Sequence, residues 1–213
     1  MKKLVILLLL SFAAAYSQTK IAIESGLGSG FLSNVPIPGD PRASTVHMSY
    51  SDGETAGLVS YTIGSYVRHT SSRWGMDLGI RFLHTGGKEK TAYATGTITQ
   101  NFVSIPVRGR YYWLDSPRMY VLTGAEMAFL VSSRSQGTLN SYPGGNHDRD
   151  ITPLVSTPNL LLNAGVGYDF EVSGMTAYAQ LLYTHSVFDT RESSRPGARW
   201  ITRDISFAIG VCL

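Results

Sequence analysis

Asp204-Ile205-Ser206-Phe207-Ala208-Ile209-Gly210-Val211-Cys212-Leu213 alternates without a break. Successive side chains of an extended chain point to opposite faces. Ile205, Phe207, Ile209, Val211 and Leu213 therefore share one face, and Asp204, Ser206, Ala208, Gly210 and Cys212 share the other. The same period sets Trp74, Met76, Leu78, Ile80 and Phe82 against Gly75, Asp77, Gly79 and Arg81. It recurs with Leu160, Leu162, Ala164, Val166, Tyr168 and Phe170 against Asn159, Asn163, Gly165, Gly167 and Asp169. Helical periodicity is almost absent. Further runs at about 20–31, 57–70, 97–114, 117–133 and 174–189 bring the total to eight strands, most of them 12 to 17 residues long. Soluble strands average about 5–6 residues, whereas a tilted membrane-spanning strand needs about 9–11 in the hydrocarbon and more beyond it. Length favours the membrane.

The connections point the same way. Short links fall at Ser71-Ser72, Asp115-Ser116 and Ser173-Gly174, and long ones at about 32–56, 87–96, 134–156 and 190–198, in strict alternation. Outer-membrane barrels pair tight periplasmic turns with longer extracellular loops in this way. An even strand number places both termini on the periplasmic side. The long loops carry turn formers, as in Val35-Pro36-Ile37-Pro38-Gly39-Asp40-Pro41 and Tyr142-Pro143-Gly144-Gly145-Asn146.

Alternation alone does not say which face meets solvent, but side-chain size does. Trp74, Phe82, Trp113, Phe129, Phe170 and Phe207 all lie on the apolar face. An eight-stranded barrel has an interior only just wide enough for its own side chains and would not hold them. The other face is rich in small residues and carries Glu24, Asp77, Glu126, Asp169 and Asp204 against Arg68, Arg81, Arg108 and Arg110. Charges of both signs in a narrow lumen should form hydrogen-bonded networks, since an isolated buried charge is costly. A polar plug is expected rather than an open pore. The fold class is thus all-β, an eight-stranded antiparallel up-and-down transmembrane β-barrel.

Composition agrees. Only 15% of the 213 residues are charged, against roughly 25% in ordinary soluble domains. The chain carries 22 Gly and 12 Tyr, far from the aromatic-poor composition of a disordered chain. Residues 1–17 read as a signal peptide, with Lys2 and Lys3, an apolar run from Leu4 to Ala15, and Ala15-Tyr16-Ser17 at the cleavage site. That run is too short to span a bilayer. Residues 18–213 form the barrel domain. Without the two leader lysines the formal charge of +3 falls to about +1. No Lys/Arg cluster tracks a phosphate backbone, so nucleic acid is not an expected partner. Cys212 is the single cysteine. It excludes an intrachain disulfide and reads as a small buried filler.

Asn101-Phe102-Val103-Ser104-Ile105-Pro106-Val107-Arg108-Gly109-Arg110-Tyr111-Tyr112 resembles a central strand of the outer-membrane beta-barrel domain family, PorT-like in its Ile-Pro and basic-aromatic run. Met119 to Leu130 is similar to the strand that follows, and Leu161 to Phe170 to the next hairpin. The resemblance covers about 97–190 and implies an outer-membrane barrel with no shared chemistry. Leu213 departs from the aromatic terminus common in such barrels, which bears on assembly efficiency. Pro106 lacks an N–H for a closed sheet, and a bulge is expected there.

Candidate chemistry is sparse. Gly26-Leu27-Gly28-Ser29-Gly30 has the look of a phosphate loop, but no helix follows and its glycines share a tight lumen face. His69-Thr70-Ser71 has the His-x-Ser spacing of a deacylase-like, lipid-modifying barrel, yet it sits at a short turn. His185-Ser186 lies nearer the outside, but neighbouring residues face opposite ways. In His147-Asp148-Arg149-Asp150 two carboxylates suit a cation and Arg149 opposes one; a solvated loop is the better reading. Arg191, Arg195, Arg199 and Arg203 are placed for lipid phosphates or for plain rim solvation. His47 and His84 show no partner in the sequence. No catalytic, cofactor-binding or metal residue is assigned, and no cofactor is expected.

The resulting expectation is a non-enzymatic integral outer-membrane protein with a closed polar lumen and a structural role or recognition through the loops at about 32–56 and 134–156. Its expected partners are outer-membrane lipids, the barrel assembly machinery during insertion, and an envelope or extracellular partner at the loops. The alternatives are an outer-leaflet lipid-modifying enzyme and a soluble periplasmic lipocalin-like binder.

Overall fold

Nine strands alternate up and down in the computed structural model, which describes residues 19–35, 54–90, 94–114, 118–139, 146–154, 158–188 and 199–213. The leader at 1–17, His47, the Asp115-Ser116 turn, the 142–145 loop segment, Arg191 and Arg195 lie outside those residues. The strands are β1 (Thr19–Val35), β2 (Glu54–Ser71), β3 (Trp74–Lys90), β4 (Ala94–Tyr112), β5 (Arg118–Leu139), β6 (Asn146–Asp150), β7 (Asn159–Val172), β8 (Met175–Ser186) and β9 (Arg199–Cys212). A single turn of 3-10 helix, Thr152–Leu154, follows β6. Every pairing is antiparallel. β1 pairs with β2 on one side and β9 on the other, so eight strands close into a barrel.

β6 is the addition that the alternation did not announce. β5 pairs with β7 from Arg118 to Ala128 and with β6 from Arg134 to Thr138. The loop expected at 134–156 thus contains a hairpin, with β5 running on to Leu139. The link expected at 87–96 is likewise shorter, since β3 and β4 stay paired as far as Lys90↔Thr95. Glycine is weak strand material, but the partners of Gly86 and Gly87, Thr99 and Ile98, are β-branched and keep the ladder together. β1 reaches Val35 and β2 starts at Glu54, both inside the expected 32–56 loop, and β8 stops at Ser186. β3 to β6 therefore carry a sheet past the rim at the long-loop end.

At the opposite end the connections are tight. Val172 pairs with Met175, leaving Ser173 (φ 52°) and Gly174 (φ 81°) as the turn. Positive φ at both positions is the geometry whose twist matches a two-residue hairpin. Ser71 pairs with Trp74, so the turn there is Ser72-Arg73, one residue later than expected, with Ser72 at φ 48°.

Pro106 makes no bulge. The β3–β4 register is the same at Leu78↔Val107 and Arg81↔Ser104, and at this level only the ladder between these two strands is interrupted, where Gly79 and Ile80 run beside Ile105 and Pro106. The missing N–H costs the β3–β4 ladder two rungs and adds no residue. The β4–β5 register shifts instead between Asn101 and Phe102, where β5 supplies the extra residue Val131.

The faces are disposed as the size argument requires. Leu27, Trp74 and Ile80 are 69%, 66% and 63% exposed, whereas Arg81 and Glu126 are fully buried. Outside, Trp74 meets Tyr111 at 4.8 Å and Tyr168 meets Phe170 at 5.6 Å near the short turns, while Tyr61 stacks on His84 at 4.6 Å nearer the loops. The ten steps along the eleven residues from Trp74 to His84, at about 3.3 Å per residue and a tilt of about 40°, give roughly 25 Å, the height of a barrel's apolar band.

Candidate functional site

The lumen holds two closed groups of charge. Near the short turns, Arg68 lies 3.2 Å from Asp77 and 3.7 Å from Asp169, and Arg110 lies 2.9 Å from Asp77 and 4.0 Å from Asp169. Tyr112 donates to Asp169 at 2.8 Å and accepts from Arg110. Farther up, Glu126 meets Arg81 at 3.2 Å and Arg108 at 3.0 Å and accepts from Ser104 at 2.8 Å. Arg108 also reaches Glu24 at 3.5 Å, and Glu24 accepts from Tyr66, Tyr178 and Gln180. Each group has two guanidinium cations against two carboxylates. This balance makes burial tolerable, because each charge gains Coulomb attraction, and all but Arg81 gain a side-chain hydrogen bond, in place of water. Asp204, the fifth acid, is fully buried; among the described residues it makes no ion pair and neither carboxylate oxygen has a hydrogen-bond partner, and Arg81 is the cation that acts on it from farther off.

Four tyrosines complete the filling, and the charge pattern alone had missed them. Tyr66, Tyr120 and Tyr178 are paired across the sheet with Gly79, Gly167 and Gly210. At each of these glycines an added Cβ would run into the tyrosine ring. Tyr112 stands edge-on to Tyr120 at 5.3 Å, and Arg68 lies 3.8 Å from the centre of the Tyr178 ring. The legible signal was parity: Tyr66 is two residues from Arg68, and Tyr112 two from Arg110. The lumen is also not wholly polar. Leu83, Phe102, Ala128 and Leu161 form a buried apolar layer, and Leu122 and Leu182 pack with Tyr112 and Tyr120. Cys212 is buried beside Ala22, Tyr66 and Tyr178, its Sγ 3.9 Å from Arg68.

The other candidates separate. Side chains at Gly26, Gly28 and Gly30 would collide with Thr62, with Ser206 and with Thr85, which is the close packing expected of that face. His69 Nδ1 lies 3.1 Å from Thr19 Oγ1, and Ser71 is exposed at the turn. His185 is near the Tyr183 hydroxyl at 3.3 Å, while buried Ser186 accepts from the Thr202 amide at 3.0 Å, so the two face opposite ways. Asp148 is held by Arg134 at 2.5–2.6 Å and by Gln136 at 3.2 Å. Asp150 accepts from the Thr152 amide at 2.9 Å, and hydrogen bonding to Thr152 holds its carboxyl below the ordinary range. Both carboxylates are thus spent on the protein's own groups, and the His147 side chain lies outside the described residues. Arg199 pairs through its backbone with Val35, and exposed Arg203 is paired with His185 and Phe31.

His84 does have partners, contrary to its reading in sequence. On the outer face Tyr61, His84, Asn101 and Ser132 are paired in a row across β2, β3, β4 and β5. His84 Nδ1 is 2.6 Å from Asn101 Oδ1, and Asn101 Nδ2 donates to Ser132 Oγ at 2.8 Å.

An antiparallel barrel of eight strands with its charges inside and its aliphatic side chains outside is a membrane-spanning barrel. The chain belongs to the outer membrane protein beta-barrel domain family, which it matches over residues 16–190, and the protein is an outer-membrane protein. Among solved structures it is similar to Ail, the attachment invasion locus protein of Yersinia pestis, at 11% identity and a TM-score of 0.49, covering 92% of this chain and 99% of that one. It is similar to Neisserial surface protein A at 9% identity and a TM-score of 0.48, covering 91% and 97%. The translocator domain of the autotransporter NalP from Neisseria meningitidis aligns at 8% identity and a TM-score of 0.36, over 99% of this chain and 96% of that one. No curated protein matches the chain.

Proposed function

We propose that this barrel neither conducts nor catalyses, and that it works as a membrane-anchored scaffold presenting its long-loop end for recognition. The lumen carries the reading. Its largest buried side chains, among them Arg81, Arg108, Arg110, Tyr112, Tyr120, Tyr178 and Phe102, occupy the section that a pore would need, and their charges are tied in closed groups. Opening a path would break several buried ion pairs at once, at about 3–5 kcal/mol for each charge left unpaired. The sheet formed by β3, β4, β5 and β6 then supplies a rigid polar platform beyond the rim, with Thr95, Thr97, Gln136, Thr138 and Asp148 around one shallow hollow. Its partner is an envelope or extracellular molecule.

In this reading residues 1–17 direct export, the assembly machinery inserts residues 18–213, and the short turns and both termini face the periplasm. The deacylase-like alternative gains no support from His69 or His185, whose side-chain partners are Thr19 and Tyr183 rather than a carboxylate. A planar-bilayer recording of the purified protein tests the plug. Only brief, small events are expected; a stable, large conductance overturns the proposal.

A further inference from the structure

We propose that the outward row Tyr61–His84–Asn101–Ser132 is a binding site for the phosphorylated headgroup of an outer-leaflet lipid. The row marks the upper edge of the apolar band. Below it the same face is aliphatic and aromatic, with Ile63, Ile80, Phe82, Val103 and Phe129. Above it the face turns to Thr99, Thr97, Lys88 and Arg134, as the pairs Lys88↔Thr97 and Thr99↔Arg134 place them. Polar side chains facing lipid are costly unless something satisfies them. Here the satisfaction is directional. Asn101 Oδ1 only accepts, so His84 Nδ1 carries the hydrogen of the 2.6 Å bond. Asn101 Nδ2 then fills an acceptor position of Ser132 Oγ at 2.8 Å. Among the described residues, two groups are left for a ligand: the Ser132 O–H, which donates, and His84 Nε2, which donates when the ring is charged. Stacking against Tyr61 at an interplanar angle of 15° fixes the imidazole.

The arrangement binds rather than reacts. Asn101 stands between the hydroxyl and the imidazole, so no base touches Ser132, as an activated serine requires. A phosphate fits the outstanding valences because it accepts from every side. Lys88, exposed two rows above on the same face, adds a cation, and a charge-assisted bond to phosphate is among the strong ones. Arg134 is committed to Asp148 and contributes less.

The inference rests on the long-loop end facing outward, so the experiment reads orientation separately. Cys212 is buried, so a Lys88→Cys variant has one reactive thiol; labelling of intact cells by a membrane-impermeant maleimide reports the outward end. Binding is then read by native mass spectrometry of the refolded barrel in phosphatidylethanolamine nanodiscs. These are doped with lipid A 1,4′-bisphosphate, with its dephosphorylated form, or with phosphatidylglycerol. The bisphosphate should be retained at least tenfold over the dephosphorylated lipid, and Ser132→Ala, His84→Ala and Lys88→Ala should each lower that preference by about tenfold, or ~1.4 kcal/mol. Lys88→Ala, at an exposed position, keeps the test valid if the other variants do not fold. Equal retention of the two lipid A forms overturns the proposal, as does a preference that all three variants keep. Preference for phosphatidylglycerol, with no labelling of intact cells, overturns the orientation instead.

Discussion

Glu126→Gln is the substitution that probes the lumen most sharply. The carboxylate is fully buried and joins Arg81 at 3.2 Å to Arg108 at 3.0 Å. After the change Arg108 keeps Glu24 at 3.5 Å. Arg81 keeps no ion pair among the described residues, and its terminal nitrogens have no hydrogen-bond partner. Its remaining counter-charge is the more distant Asp204, and a guanidinium left without an ion pair in the barrel interior costs at most about 3–5 kcal/mol. With a urea slope of roughly 2–3 kcal/mol per molar, a loss of that size lowers the unfolding midpoint by about 1–2.5 M. The assay is urea unfolding of the barrel in lipid vesicles, followed by tryptophan fluorescence and by gel migration of unboiled samples. A second variant keeps the test honest: Arg81→Gln on the Glu126→Gln background removes the stranded charge and should recover at least half of the loss. Arg134→Ala, at an exposed pair with Asp148, should leave the midpoint where it was. If Glu126→Gln unfolds at the wild-type urea concentration, or the double variant is no better than the single, the charge-pairing account of the lumen is wrong.

Two further outcomes follow from local geometry. Gly167→Ala places a methyl against the Tyr120 ring, whereas Gly109→Ala meets nothing nearer than 3.9 Å; the first should cost about 1–3 kcal/mol as overpacking and the second far less, by the same urea assay. Asp150 has its carboxyl lowered by hydrogen bonds to Thr152. Its contribution to the turn after β6 is therefore full above the ordinary aspartate value and lost as pH falls through the lower folded value. Slowed exchange of the Thr152 amide should persist at pH 5 and disappear only in stronger acid; loss of that protection near neutrality contradicts the assignment.

The barrel itself was readable because period-2 alternation is a strict geometric consequence of the strand. Ile205 to Leu213 states which residues share a face, and side-chain size states which face is outside. All nine charged residues assigned to the lumen from parity line it, with Asp169 the least covered. What escaped notice was information held between strands. The Tyr66–Gly79, Tyr120–Gly167 and Tyr178–Gly210 pairs depend on register, which a single strand does not encode. His84 acquires Asn101 and Tyr61 in the same way. The link expected at 87–96 begins within Gly86-Gly87, where glycine is weak strand material, and the pairing of β3 with the Thr-rich start of β4 overrides that preference. β6 was hidden for a related reason. Its Asn-His-Asp-Arg-Asp sequence is poor strand material, and it is held by β5 and by the Arg134–Asp148 contact rather than by its own propensity. Pro106 shows the limit of a local rule: the ladder gives up rungs rather than bulging.

The central claim is that the apolar face meets lipid and the charged face is enclosed. Comparing boiled with unboiled samples of the outer-membrane fraction on a gel tests it most directly, because a closed barrel resists detergent and migrates differently until heat opens it. The account expects the protein in that fraction, with a clear shift on boiling. Protein recovered in the soluble periplasm, with no shift, would mean that the faces are reversed and that the core holds a ligand.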